Sequence, residues 1–512
     1  MIEENKSSMK NSVRRLIIAG IGVLIQIIWV VVLVMRLNQY SQIITLLTVA
    51  IELVLVLAVN SMDTTAAFQF TWIILITVAP LVGIRVFFLF GRSGATKTER
   101  ARYRKIDQQL FAYLNQDEQI IEELSKKDER LANDFKYLWK CASSPVYKNT
   151  DVKYYGDTCD AMAAQLEDMM QAKKFIFLEY HAIEMAESFQ ALRKVLMAKA
   201  REGVEIRILY DDAGCIGFLN PRFIKYMESM GIQCRVFNPI MPVLNIFMNN
   251  RDHRKITVID GKVAYTGGYN LADEYFNITH PYGQWKDSGI RFEGDAVQTA
   301  TILFLEMWNA LREQDVDIEK YLPVYPYKAK EQGFFALYGD SPLDKEPAGE
   351  NVYMNLLRHA KKYIYFTTPY LILSDEMTRE LTGAAKRGVD VRIITPGIPD
   401  KKTIFQVTKS YYPQLLKHGV KIYEYTPGFM HEKQCICDGE IVVVGTINLD
   451  FRSLYLHFEN AALFCGYEAV SHVKEDFEAL FPICKDMSKE PSERTRRLRL
   501  SQLILRLFSP LM

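Results

Sequence analysis

Two strings of the sequence put an imidazole, an ammonium, a carboxylate and a carboxamide at the same intervals. His253-Arg254-Lys255 is followed by Asp260-Gly261, Gly267 and Asn270, and His431-Glu432-Lys433 by Asp438-Gly439, Gly445 and Asn448. His-x-Lys-x4-Asp-x6-Gly-x2-Asn thus occurs twice with no register shift. Residues two apart on a strand share a face, so each histidine has a lysine beside it, and each pair can grip one anion. Asn270 and Asn448 are expected to donate amide hydrogen bonds to phosphate oxygens. Asp260 and Asp438 lie well over ~10 Å along an extended strand from their lysines, so they are read as structural, fixing a turn through backbone hydrogen bonds.

A catalytic imidazole needs a partner on its second nitrogen, to fix the tautomer and stabilise the cation. The candidates are Asp287, 34 residues after His253, and Glu459, 28 residues after His431, each taken as downstream of its own histidine. The remaining histidines, 181, 280, 359, 418, 457 and 472, are read as surface or satisfied core residues. No metal is expected: a lysine beside each histidine repels a cation, and no carboxylate sits at a ligand-like interval.

The elements that position these residues are repeated too. KKFIFLEYHA at Lys173 is echoed by KKYIYFTTPY at Lys361, VEIRILYDDAG at Val204 by VDVRIITPGIPD at Val389, and GIQCRVFNP at Gly231 by GVKIYEYTP at Gly419. Short β-branched and aromatic runs alternate with helical patterns, which predicts an α/β fold with parallel sheet and covering helices, built twice. ITVID, then Gly261, then KVAYT reads as two strands joined by an Asp-Gly hairpin, and Asp438-Gly439 repeats it. The halves are expected at 151–325 and 326–490.

Residues 1–91 have another character. Leu16 to Met35 is an apolar run broken only by Gln26 and is long enough to span a ~30 Å hydrocarbon core. Residues 43–59 form a second candidate span and residues 70–90 a third. Basic residues flank the region on both sides, so both flanks favour the cytoplasm and an even number of crossings. The third segment, carrying Pro80 and Arg85, is therefore expected to lie in the interface or re-enter rather than span. Residues 92–150 read as a juxtamembrane linker of solvated helices. Residues 491–512, RTRRLRLSQLILRLFSPLM at their core, read as a basic amphipathic tail for an anionic membrane surface, with docking on the second half as the alternative. The 512-residue chain carries 62 Lys+Arg and 61 Asp+Glu, which excludes a strongly basic nucleic-acid binder. Eight cysteines without a C-x-x-C pair argue against a zinc ribbon or disulfide scaffold.

The two motifs, GGYNLADEY and NLDFRS after them, TTPYLILSDEM at Thr367 and the apolar N-terminal segments make the chain resemble the phospholipase D superfamily, especially the bacterial cardiolipin synthases of the Gram-positive type. The resemblance implies two phospholipase D-like halves sharing one active site, without cofactor or metal. It implies that His253 attacks phosphorus to give a phosphohistidine while His431 serves as acid and base, with Lys255, Lys433, Asn270 and Asn448 on the non-bridging oxygens. Donor and acceptor are then phosphatidylglycerol, the leaving group is glycerol, and the location is the bacterial cell membrane, multi-pass, with the catalytic part facing the cytoplasm. A phospholipase D-type hydrolase, a phosphatidyltransferase with another acceptor alcohol and an inactive lipid-binding scaffold remain the alternatives. Pro239 precedes His253 by fourteen residues whereas Pro427 precedes His431 by four. The ten extra residues include Ile246 and Phe247, an apolar loop expected either to meet acyl chains at the mouth of the site or to pack on its own core.

Overall fold

Asp260-Gly261 turns with φ of 54° and 66°, and Asp438-Gly439 with 53° and 71°. This is the left-handed two-residue hairpin geometry that Asp-Gly favours. In the computed structural model of the chain, the residues described are 41–62, 64–91, 96–219, 222–240, 250–312, 315, 317–490 and 498–511, with positions 24, 28 and 32. The first half contains strands β1 (Thr150–Tyr155), β2 (Phe175–Tyr180), β3 (Glu205–Asp211), β4 (Gln233–Phe237), β5 (Arg251–Asp252), β6 (Lys255–Ile259), β7 (Val263–Gly267), β8 (Gln284–Lys286) and β9 (Gly289–Gly294). The second contains β10 (Phe334–Asp340), β11 (Tyr363–Thr367), β12 (Asp390–Pro396), β13 (Lys421–Tyr425), β14 (Gly428–Met430), β15 (Gln434–Cys437), β16 (Ile441–Gly445), β17 (His457–Cys465) and β18 (Cys484–Asp486).

The two sheets run β1-β9-β7-β6-β2-β3-β4 and β10-β17-β16-β15-β11-β12-β13, the second extended by β18. Position for position they are the same sheet. Along these orders parallel pairing is confined to β2-β3-β4 and β11-β12-β13, and β5 adds to β17 off the path, also in parallel. The other neighbours are antiparallel, so each sheet is mixed rather than parallel throughout. The reason is local: a two-residue hairpin reverses the chain, and the strands it joins must run antiparallel.

The aspartates at these hairpins hold neighbouring strands. Asp260 accepts backbone N–H groups of Lys173, Lys174 and Phe175 at 2.7–2.9 Å, where β2 begins. Asp438 accepts those of Lys361, Lys362 and Tyr363 at 2.8 Å, where β11 begins. One hydrophobic cluster is shared by the halves and draws Phe177, Ile256 and Val258 from the first sheet and Ile436, Val442 and Phe464 from the second, around the Val297–Leu311 and Glu468–Leu480 helices. The halves therefore meet through buried apolar area, the main source of their association.

The segment at 92–150 is not a free linker. In the Lys97–Leu110 helix, Tyr103, Ile106 and Leu110 recur at helical spacing and are buried in the shared core. Tyr103 stacks on Phe458 of β17 with ring centroids 5.5 Å apart. N-terminal to it lie helices Ser41–Asn60, Ala66–Val78 and Pro80–Phe90. Ala79, at φ −139° and ψ 70°, interrupts the third apolar segment immediately before Pro80. Its two pieces, of 13 and 11 residues, rise about 20 and 17 Å at 1.5 Å per residue. Among the described residues, no helix is long and apolar enough to cross a membrane. The expected span at 16–35 lies, apart from positions 24, 28 and 32, outside the described residues, as do the apolar loop at 241–249 and residues 491–497 of the tail.

The Leu500–Leu507 helix turns its polar side inward. Gln502 bonds Gln406, and Arg506 reaches the Ser410 carbonyl and Gln414 on the second half. Leu500, Leu503 and Ile504 face outward, and Thr71 Oγ1 donates to the Leu507 carbonyl at 2.8 Å, tying the tail to the Ala66–Val78 helix.

Candidate active site

Each histidine follows a short strand that pairs in parallel with a strand of the opposite half. β5 pairs with the start of β17, and the His253 N–H donates to the Phe458 carbonyl at 2.9 Å. β14 pairs with β8, and the His431 N–H donates to the Lys286 carbonyl at 2.8 Å. The residue that follows each of these acceptors is a carboxylate, Glu459 on β17 and Asp287 just past the end of β8. His253 Nδ1 lies 2.9 and 2.8 Å from the two oxygens of Glu459, and His431 Nδ1 lies 2.5 Å from Asp287 Oδ2. The partners are thus crossed between the halves: Asp287 serves His431 and Glu459 serves His253, the reverse of pairing within each repeat. Parallel strand addition across the seam decides this, and sequence order carries no trace of it.

The β8–β14 approach requires glycine. A Cβ on Gly428 would meet the Gln284 carbonyl oxygen at 2.2 Å, and one on Gly283 the Pro427 oxygen at 2.5 Å. Further bonds close the seam, including Asn460 Nδ2 to Thr266 Oγ1 at 2.7 Å and Ser288 Oγ to Gln434 Oε1 at 3.3 Å.

The electrostatics follow from burial. Both His253 and His431 titrate well below the ordinary imidazole value, because burial disfavours the cation and the lysines of both motifs repel it. Burial likewise pushes Lys255 down to about 8 and Lys433 down to about 7. Asp287 is pushed up to about 7 by burial, against the pull of Lys433. Lys255 Nζ donates to the His253 carbonyl at 2.7 Å. Lys433 Nζ donates to the His431 carbonyl and also lies 2.8 Å from His431 Nδ1.

That last contact separates the two imidazoles. His253 Nδ1 faces only carboxylate oxygens, so it carries the proton and Nε2 keeps a lone pair. His431 Nδ1 lies between the Lys433 amine and the Asp287 carboxyl, both of which titrate near neutrality, so either of them can hold the shared proton. Where that proton lies on Lys433 or Asp287, His431 Nδ1 accepts and the ring holds its hydrogen on Nε2.

The carboxamides also differ. Asn270 Nδ2 donates to Tyr275 at 2.9 Å and its Oδ1 accepts from the Ala182 N–H at 3.1 Å. Its side chain is largely spent on protein groups, short of the expected role on phosphate. Asn448 is buried, and its Oδ1 has no hydrogen-bond partner among the described residues.

Two histidines read as ordinary belong to the site. The rings of His181 and His457 lie 5.0 and 5.6 Å from that of His253. His181 Nδ1 donates to the Asp252 carbonyl at 2.8 Å. His457 was legible as His-x-Glu on one strand face with Glu459, whereas His181 at the end of β2 becomes a neighbour only once β2 pairs with β6. Among the described residues, His253, His457 and Glu459 form one group that could hold a metal ion. Two of its four ring nitrogens have partners, His457 Nε2 accepting from Arg452 at 3.2 Å and His253 Nδ1 donating to Glu459, while His457 Nδ1 has no hydrogen-bond partner among the described residues.

The sequence matches the family described as cardiolipin synthase, PLD-like domain, over residues 166–308 and 353–481, one segment in each half. It is 39% identical over 460 residues to an uncharacterized protein of Streptococcus mutans, covering 90% of this chain and 99% of that one. It is 32% identical over 409 residues to a cardiolipin synthase of Halalkalibacterium halodurans, covering 80% and 81%. It is 31% identical over 451 residues to cardiolipin synthase 2 of Bacillus anthracis, covering 86% of each. Among solved structures, the phosphatidylserine synthase of Haemophilus influenzae superposes with a TM-score of 0.53 at 15% identity, over 70% of this chain and 93% of that one, a likeness of fold.

Proposed function

The chain belongs to the cardiolipin synthase family of phospholipase D-like proteins, and from that premise we propose that it transfers a phosphatidyl group from one phosphatidylglycerol to another, releasing glycerol. The observation that carries the reading is the crossed pair of imidazole–carboxylate contacts at the seam, His253 with Glu459 and His431 with Asp287. An anion-binding scaffold has no need of two oriented imidazoles, whereas a two-step displacement at phosphorus uses both.

His253 Nε2 attacks phosphorus as the bond to the glycerol oxygen breaks, and His431 Nε2–H protonates that oxygen. The Nδ1 contacts support this assignment of roles. Glu459 stabilises the positive charge that builds on His253, and Asp287, holding a proton near neutrality, replenishes His431 from behind. Lys255, Lys433 and Asn448 hold the non-bridging oxygens, where charge concentrates in the five-coordinate transition state. In the second step the hydroxyl of another phosphatidylglycerol gives its proton to His431 and displaces His253.

The lipid substrate places the chain at a membrane. The apolar residues 1–91 anchor the chain there and leave the catalytic halves in the cytoplasm. The short helices Ala66–Val78 and Pro80–Phe90 lie in the interface, joined by the outward-facing Leu500, Leu503 and Ile504. The near-neutral charge offers no track for a nucleic acid backbone.

Labelled phosphatidylglycerol supplied in detergent to the full chain tests the reading. Cardiolipin with glycerol is the expected outcome; phosphatidic acid alone makes the protein a hydrolase, and no turnover leaves a lipid-binding scaffold. Activity should persist in EDTA, and a complete loss restored by a divalent ion overturns the metal-free mechanism.

A further inference from the structure

The surroundings of His431 have a property that displacement at phosphorus does not itself require: they are aromatic. The His431 ring centroid lies 5.0 Å from that of Trp285, 5.2 Å from Tyr275 and 5.8 Å from Phe429. Tyr282 and Tyr370 stand behind, 6.1 and 6.4 Å from Phe429. Among the described residues, the rings next to His253 are the imidazoles of His181 and His457. Trp285 and Phe429 sit on β8 and β14 in register with each other, so the wall is assembled by the same strand pair that positions His431.

Resting on the transfer reading above, we propose that Tyr275, Trp285 and Phe429 form the alcohol subsite. They take the three-carbon polyol headgroup against their ring faces and keep water away from the phosphohistidine, which sets the ratio of transfer to hydrolysis. In-line displacement puts the entering and leaving oxygens opposite the nucleophilic nitrogen, hence on the His431 side. A polyol presents C–H edges that suit the negative face of an aromatic ring, while its reacting hydroxyl reaches His431. Water in the same place finds apolar walls and few polar partners, so it is poorly held.

Both outcomes share one bond balance. The acceptor oxygen forms the new P–O bond, its proton passes to His431 Nε2, and the N–P bond breaks with its electron pair returning to His253 Nε2. An alcohol yields cardiolipin and water yields phosphatidic acid.

The test measures both products from labelled phosphatidylglycerol in mixed micelles with the full chain. Trp285→Ala and Phe429→Ala should raise the ratio of phosphatidic acid to cardiolipin by about 10-fold or more, the discrimination available to a buried apolar wall. Trp285→Phe should restore most of the wild-type ratio. Tyr282→Ala, at the half-buried rim, spares the β8–β14 pair if the larger truncations fail to fold, and should raise the ratio by a smaller factor. Parallel loss of both products at a constant ratio, in an otherwise folded variant, overturns the proposal. A wild-type chain that makes neither product instead overturns the transfer reading on which it rests.

Discussion

His253 and His431 occupy equivalent places in a repeat whose sheets match strand for strand, and each has a cross-seam backbone bond, a lysine on its carbonyl and a carboxylate at Nδ1, yet their wider surroundings diverge. His253 has a carboxylate held by a hydroxyl, since Thr446 Oγ1 donates to Glu459 Oε2 at 2.5 Å, and it has imidazoles for neighbours. At His431 the position equivalent to Thr446 is Gly268, where a Cβ would lie 2.1 Å from Asp287 Oδ1. Asp287 instead shares its histidine with Lys433, inside an aromatic wall. The shared backbone supplies two like positions, and the side chains around them divide the labour. At Nδ1 one ring faces carboxylate oxygens, and the other a carboxyl group and an amine.

The largest expected effect tests that division directly. His253→Ala and His431→Ala should each abolish steady-state turnover, with acid–base loss alone worth about 10²–10⁴-fold. With a phosphatidyl ester of a good leaving group, which needs no general acid, His431→Ala should still trap labelled phosphoenzyme and His253→Ala should not. Label retained in His253→Ala inverts the roles.

The crossed carboxylates come next. Glu459→Gln and Asp287→Asn should each cost about 10²–10³-fold on phosphatidylglycerol. The good leaving group should rescue Asp287→Asn and leave Glu459→Gln slow. Rescue of both, or of Glu459→Gln alone, breaks the assignment of each acid to the opposite half.

The pH profile sharpens the comparison further. Phosphate binding needs both lysines as cations, and their pKa values of about 8 for Lys255 and about 7 for Lys433 mean that protons leave as pH rises through that range. The free enzyme's kcat/KM should therefore fall above about pH 7–8. It should hold level down through pH 6, because both histidines stay neutral there. Lys433→Arg should move the alkaline limb upward, and an unmoved limb shows that another group governs it.

The smallest effect concerns stability. Asp260 accepts three N–H groups in a half-buried or buried setting, whereas two of the three at Asp438 are exposed. Hydrogen bonds to a charged acceptor are worth about 1.5–3 kcal/mol when shielded and less when water can replace them. Asp260→Ala should lower the unfolding midpoint more than Asp438→Ala in denaturant melts, by roughly 1 kcal/mol in the difference. Equal shifts argue that the two turns are equivalently solvated.

Much of this was legible beforehand, and the failures have causes. The Asp-Gly hairpins, the repeated strands and the break before Pro80 are local features, governed by the φ,ψ preferences of a few adjacent residues. The linker reading failed because Tyr103, Ile106 and Leu110 form a narrow stripe among charges, and only contact with Phe458 shows that the stripe is covered. His181 and His457 read as ordinary because neither has a histidine at the matching place of the other repeat; what makes them neighbours of His253 is strand pairing.

The sequence by itself determined that the chain has two like α/β halves, each with a histidine and a lysine on one strand face, because side-chain direction along a strand and turn conformation depend on short-range geometry. Only the tertiary structure decided which carboxylate serves which histidine, that one imidazole has an amine beside its carboxyl partner, and that the same one is walled by aromatic rings. Those outcomes depend on parallel strand pairs that form across the seam, between residues about 150 to 200 positions apart, and on a buried, low-dielectric setting in which a single contact resets a proton's position.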